Sequence, residues 1–218
     1  MGTSADHGRS GRSRIGPCRN KAMPILRGLV RLTAVLLMAA PIATHAAGGL
    51  PASPVRLKFA DQTYLLRWSS KHQHEFTPSG QDDLSRWTDM ITINTYPDVR
   101  DGDGLADVAN RVLGTYKQNN AVVVRTSSVP RTPARPARPA EHLIVVLFPV
   151  RDSIEAVFAR LRLTDGRGTA VIYSHRLYGQ KAGDAMAAWL KANGPAVERR
   201  LMDLQEIPSH RILEPSSP

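Results

Sequence analysis

Ile154-Glu155-Ala156-Val157-Phe158-Ala159-Arg160-Leu161-Arg162-Leu163 leads into Thr164-Asp165-Gly166-Arg167-Gly168-Thr169 and then Ala170-Val171-Ile172-Tyr173-Ser174-His175. The reading of this stretch decides the fold. Ile154, Val157, Phe158 and Leu161 suit a helix, but Val157, Ala159, Leu161 and Leu163 suit one face of a strand equally well. The Asp-Gly-X-Gly that follows breaks the tie, because such a turn between two apolar runs marks a β-hairpin. With Gly166-Arg167 as a two-residue loop, Arg160 would face Tyr173 and Phe158 would face His175. Arg162 would share that face.

Upstream of the hairpin, strands are expected at Val55–Phe59, Tyr64–Ser69, Asp89–Tyr96, Ala121–Ser127 and His142–Phe148. The apolar run of the last suits an interior strand buried on both faces. Ala60-Asp61-Gln62 reads as a tight turn between the first two. Ser79 is placed to cap one or two helical turns reaching Trp87. Leu105, Val108, Ala109, Val112, Leu113 and Tyr116 recur at helical spacing, with Asp103 as the expected N-cap and Asn119-Asn120 as the stop. From Gly183 a long helix is expected, with Met186, Leu190, Val197, Leu201 and Leu204 on one stripe. Asn193-Gly194-Pro195 should kink it or divide it into two abutting helices. The fold class is therefore α+β: a largely antiparallel sheet of six to seven strands, a central helix and a long C-terminal helix. The domain spans 47–207, with a Pro/Arg-rich connecting loop at 130–139 and a frayed tail at 208–218.

This order of elements over residues 55–203 resembles the PsbP-like fold, a sandwich named after an extrinsic photosystem subunit and found in small exported bacterial proteins. That family includes subunit-docking modules and many proteins of unknown role, and the resemblance implies no catalytic residues.

Residues 1–46 read as a leader. Arg27 and Arg31 flank the short apolar run Leu32–Ile42, and Thr44-His45-Ala46 is a small-residue cleavage site. Translation is expected to start at Met23 and cleavage to follow Ala46. The product would be periplasmic or secreted, with no membrane span left after cleavage, since the run is shorter than the roughly 20 apolar residues a spanning helix needs. The whole chain carries a net charge of +10, but 22 basic and 18 acidic residues lie beyond Ala46, a net of +4. That modest excess, with no concentrated basic run beyond the Pro/Arg segment, argues against a nucleic-acid partner. The single cysteine, Cys18, lies within the leader. Disulfides, zinc thiolates and a cysteine nucleophile are thereby excluded from the exported product.

Few motifs offer chemistry. Asp101, Asp103 and Asp107 alternate around Gly102 and Gly104 as in a calcium loop. Val99 occupies the first ligand position, however, and Asn110 stands where an EF-hand needs a bidentate glutamate. The aspartates suit turn and capping roles instead, so no metal site is expected. His72-Gln73-His74-Glu75 supplies too few ligands for a metal and reads as a polar loop. Ser174 and His175 point to opposite faces of a strand and cannot form a nucleophile–base pair. No G-x-S-x-G elbow, H-E-x-x-H pair, phosphate-binding glycine loop or dinucleotide fingerprint occurs, and no cofactor is expected.

Arg160, Arg162, Tyr173 and His175 remain. Cations mixed with aromatics on one face suit a partner's acidic surface or an anionic or aromatic ligand. The plainer reading is a sheet face whose aromatics pack under helices and whose arginine stems lie along it. The sequence thus points to an exported, non-enzymatic protein that docks on an envelope or extracellular partner. The alternatives are a binding module for a small anionic or hydrophobic ligand, and an enzyme of unrecognised design.

Overall fold

Asp165 and Gly166 both adopt positive φ, +51° and +70°, the two-residue geometry whose twist matches flanking strands. They join β7 (Ser153–Thr164) to β8 (Arg167–Tyr178), with Thr164 opposite Arg167. The hairpin is real, but its turn sits one residue earlier than Gly166-Arg167. Arg160 therefore faces Val171, Phe158 faces Tyr173 and Ala156 faces His175. Each pairing moves by two residues, which leaves every side chain on its expected face.

The computed structural model describes residues 55–129 and 140–213. The leader, the Pro/Arg loop at 130–139 and the tail beyond 213 lie outside the described residues. The remaining elements are β1 (Arg56–Phe59), β2 (Gln62–Ser70), β3 (Gln73–Pro78), β4 (Asp89–Tyr96), α1 (Gly102–Gln118), β5 (Val122–Val129), β6 (Glu141–Val150), α2 (Ala182–Asp203) and α3 (His210–Leu213). The strands form one antiparallel sheet in the order β1-β2-β3-β4-β8-β7-β6-β5. The class is α+β as expected, with eight strands among the described residues rather than six or seven. One helix packs on each face of the single sheet, as the order of elements suggested.

The missed strand is β3. Its Phe76 is the only strongly β-forming apolar residue, while His74, Glu75 and Thr77 are polar yet buried. A strand with polar groups buried on both faces shows no period-two alternation. The helical turns expected between Ser79 and Trp87 are absent. Asp83 instead ties the loop by accepting from the Ser85 backbone N–H at 2.8 Å, the local side-chain bond by which Asp favours turns.

α1 is capped two residues earlier than expected. Asp101, not Asp103, is its N-cap, accepting from the Gly104 N–H at 2.8 Å. Leu105, Val108, Ala109, Val112 and Tyr116 are its buried stripe. They lie over β6 and β7, where Tyr116 meets Phe148 edge-on at 5.4 Å. α2 covers the opposite face of β7 and β8. It runs unbroken through Pro195, so the division into two helices does not occur. Its Met186, Val197 and Leu201 close a core with Phe59, Tyr64, Phe76, Ile91, Ile93, Leu143, Val145, Phe158, Val171 and Tyr173. Part of the segment expected to fray forms α3 instead, burying His210 and Leu213. Among the described residues no helix is long and apolar enough to cross a membrane.

Candidate functional site

Arg160, Arg162, Tyr173 and His175 do lie on one face of the sheet, and that face is the one under α2. Arg160 is only 2% exposed. Its Nε and Nη2 each donate to Glu141 Oε2 at 2.8 Å. Its Nη1 donates to the carbonyls of Leu201 at 2.9 Å and Leu204 at 2.6 Å. Arg162 adds a bond to the Leu204 carbonyl at 3.0 Å and one to Gln205 Oε1 at 3.3 Å. The last carbonyls of a helix lack partners and carry partial negative charge. Two guanidinium groups on β7 supply that need and hold the end of α2 to the sheet. Burial, and then the neighbouring Arg160, draw the Arg162 guanidinium below its ordinary pKa. Arg160 is thus a buried structural cation, not part of an exposed contact surface.

Tyr173 and His175 converge on Asp89 at the start of β4. The Tyr173 hydroxyl donates to Asp89 Oδ1 at 2.6 Å, and His175 Nδ1 lies 3.0 Å from the same oxygen. Trp189 of α2 stacks on the imidazole at 4.0 Å between centroids and 8° between planes. Burial raises the Asp89 carboxyl, but the bonds from His175, Tyr173 and Thr88 outweigh it, leaving its pKa below the ordinary value. Burial and the Asp89 charge push the Tyr173 phenol upward. His175 Nε2 is buried and has no hydrogen-bond partner among the described residues. Ser174 points to the other face, as expected. The cluster therefore joins an Asp–His pair to the Tyr173 and Thr88 hydroxyls, both bonded to Asp89, and Trp189 closes it against the helix.

The opposite face carries a second polar group. Arg176 bonds Glu155 Oε2 at 2.6 Å and lies 4.1 Å above the Trp87 ring. Among the described residues no group of three or more His, Cys, Asp or Glu side chains is placed to hold a metal ion. In the alternative calcium loop, the Asp101 carboxylate is engaged in capping.

What the sequence missed is a groove of about 420 Å³ between the β5–β7 end of the sheet and α2. Val145 and Phe158 form its floor, with Leu190, Pro195 and Met202 as the helical wall. Val124 and Arg125 of β5 form the other wall, and Arg125 reaches Glu198 at 3.2 Å across the rim beside Arg199. Its apolar residues come from segments up to 78 positions apart, Val124 to Met202. The available signal was Val122-Val123-Val124, three successive valines in a strand that, among the described residues, pairs with β6 alone.

No family model matches the chain, and no curated protein matches it. Among solved structures it is similar to the Ran-binding protein Mog1p of Saccharomyces cerevisiae, at 12% identity over 69% of this chain and 93% of that one, with a TM-score of 0.43. It is similar to PA94 of Pseudomonas aeruginosa, a protein of unknown function, at 9% identity over 72% and 100% of the two chains, TM-score 0.40. A mutant form of Mog1 matches at 10% identity over 70% and 93%, TM-score 0.43. None of these is a PsbP protein, and the PsbP-like resemblance is corrected accordingly. It rested on the order of elements, which different sheet arrangements share. Likenesses this distant carry no argument about function.

Proposed function

We propose that this chain is an exported, non-enzymatic binding domain that docks on an envelope protein through the groove between β5–β7 and α2. The observation that carries the proposal is the continuity of that groove with β5, where Val122, Val123 and Val124 are 56%, 38% and 51% exposed. An apolar groove bordered by exposed aliphatic side chains and rimmed by Arg125, Glu198 and Arg199 has the anatomy of a protein contact, apolar within and charged at the edge. The Asp89–His175 pair is buried beneath Trp189 and lies away from this groove. Export rests on the leader and is part of the same proposal. The groove's size also suits a small hydrophobic ligand, the second reading.

The test compares the wild type with Met202→Glu, which places a carboxylate in the groove wall. Both are presented to envelope extract, and captured protein is identified and then titrated in pure form. At least tenfold weaker binding by a normally folded variant is the expected result. Equal binding would move the contact elsewhere. Release of a small apolar molecule on denaturing the purified wild type, absent from the variant, would favour the second reading.

A further inference from the structure

We infer that the corner between the β7–β8 turn and α3 is a second binding site, for a phosphate group that is free or carried by a small monoester, held by Arg167, Arg211, Ser209 and His210. The corner shares no lining residue with the groove, so the inference does not rest on the docking proposal.

The hairpin register assembles the strand side of the site. Thr164 lies opposite Arg167, and directly opposed residues share a face. Arg162, two positions before Thr164, lies on the same face, the one that α2 covers. α3 closes the corner from the other side. Its His210 is 8% exposed, with Nε2 lying 3.4 Å from the Thr164 carbonyl oxygen. Between these elements is a pocket of about 350 Å³ lined by Asp165, Arg167, Ser209, His210 and Arg211. All five are polar or charged, in contrast to the apolar groove. The volume leaves room for a small organic group beside a phosphate.

Two observations point to an anion. The first is a surplus of cations. Among the described residues neither Arg167 nor Arg211 forms an ion pair, even with Asp165 in the same lining. Arg100 adds a cation beside the turn, its Nη1 donating to the Gly166 carbonyl at 3.4 Å. Arg162 registers the surplus: burial and then the Arg160 charge lower its guanidinium pKa, against the opposing pull of Glu141 and Asp165. The second observation is a group of polar atoms left over. Arg162 Nε, Thr164 Oγ1 and His210 Nδ1 are buried and have no hydrogen-bond partner among the described residues. Folded proteins pair nearly all such atoms, so three at one corner call for an explanation that a ligand supplies. The chemistry favours phosphate over carboxylate. One guanidinium fork satisfies a carboxylate, whereas two forks and a hydroxyl match the larger charge and extra oxygens of a phosphate. With Nε2 turned to the Thr164 carbonyl, Nδ1 can donate only from the protonated ring. A bound anion should therefore draw a proton onto His210.

The experiment titrates the purified chain with inorganic phosphate and with ribose 5-phosphate at constant ionic strength, acetate serving as the comparison anion. Calorimetry reads the affinity, and the nitrogen NMR signals of the His210 ring read the place. The expected result is saturable phosphate binding, at least tenfold tighter than acetate, with the His210 signals moving toward the protonated form. Arg167→Gln combined with Arg211→Gln should weaken binding at least tenfold. It should leave the melting temperature within a few degrees, since neither arginine has an ion pair to lose. Met202→Glu, which alters the groove, should leave phosphate binding unchanged. Tighter binding of the ester than of inorganic phosphate identifies the source as a monoester, and equal binding identifies it as the free anion; either upholds the site. Absence of saturable binding overturns it, as does affinity equal to that for acetate or affinity kept by the double variant. Binding that leaves the His210 signals unmoved puts the phosphate elsewhere and overturns it too. Capture by phosphatidylcholine vesicles containing phosphatidic acid, without binding of either soluble phosphate, would give the cations to a membrane surface and also overturns it.

Discussion

Arg160 shows how a side chain's role can reverse between its chemistry and its surroundings. Cationic character suggests an exposed contact, yet burial against Glu141 and two helix-end carbonyls makes it a structural group. Arg160→Ala should lower stability by about 3–5 kcal/mol, because it leaves Glu141 buried without its cation. Urea unfolding would measure this. Arg160→Met combined with Glu141→Leu should recover most of the loss, since an apolar pair removes the orphaned charge. Glu75 offers a pH test. Burial, and then the Glu155 charge, raise its carboxyl despite a bond from Gln73. A carboxyl whose folded pKa lies above its unfolded value adds stability at low pH, and that contribution is lost as pH rises through the folded pKa. Glu75→Gln should therefore raise the urea midpoint at neutral pH, with the gain vanishing below about pH 4. Asp89 is shifted the other way, so Asp89→Asn should destabilise at neutral pH and converge on the wild type in acid.

At the scale of elements, local signals differ in what they specify. The turn at Asp165-Gly166 was legible as a hairpin but placed one residue late, because Asp-Gly and Gly-X both satisfy two-residue loops. Gly168, the other glycine of that motif, has a different duty. Its N–H donates to the Val99 carbonyl at 2.8 Å, and an added Cβ would lie 2.9 Å from Val99 Cβ and Cγ1. That approach ties the entry to α1 against the start of β8. Gly168→Ala should cost about 1–3 kcal/mol through overpacking, read as a fall in melting temperature. Gly166→Ala meets no atom within 4 Å and should show only the cost of its positive φ, about 1 kcal/mol.

For the whole molecule, the sheet order puts β8 at the centre and leaves β5 at an edge. α1 and α2 then cover β6, β7 and β8 from opposite sides, while no residue of β5 is buried. The groove follows from this placement. The proposed export concerns the chain as a whole and is tested apart from the fold. Protein recovered from periplasm or medium should begin at Ala47 on N-terminal sequencing. An uncleaved chain confined to the cytosol would remove the envelope partner from the proposal.

The sequence by itself determined the α+β class, the β7–β8 hairpin, the stripes of α1 and α2, and which side chains of β7 and β8 share a face. Period-two alternation sets parity locally, and a two-residue shift in register preserves it. Tertiary structure alone decided that β3 is a strand, since its buried polar residues need partners from other elements. It also decided that the Arg160 face is covered by α2, and that Val122–Val124 stand at an open edge. Covering a face or ending a sheet depends on contacts between residues distant in the chain, and no local pattern records which of two faces a helix will choose.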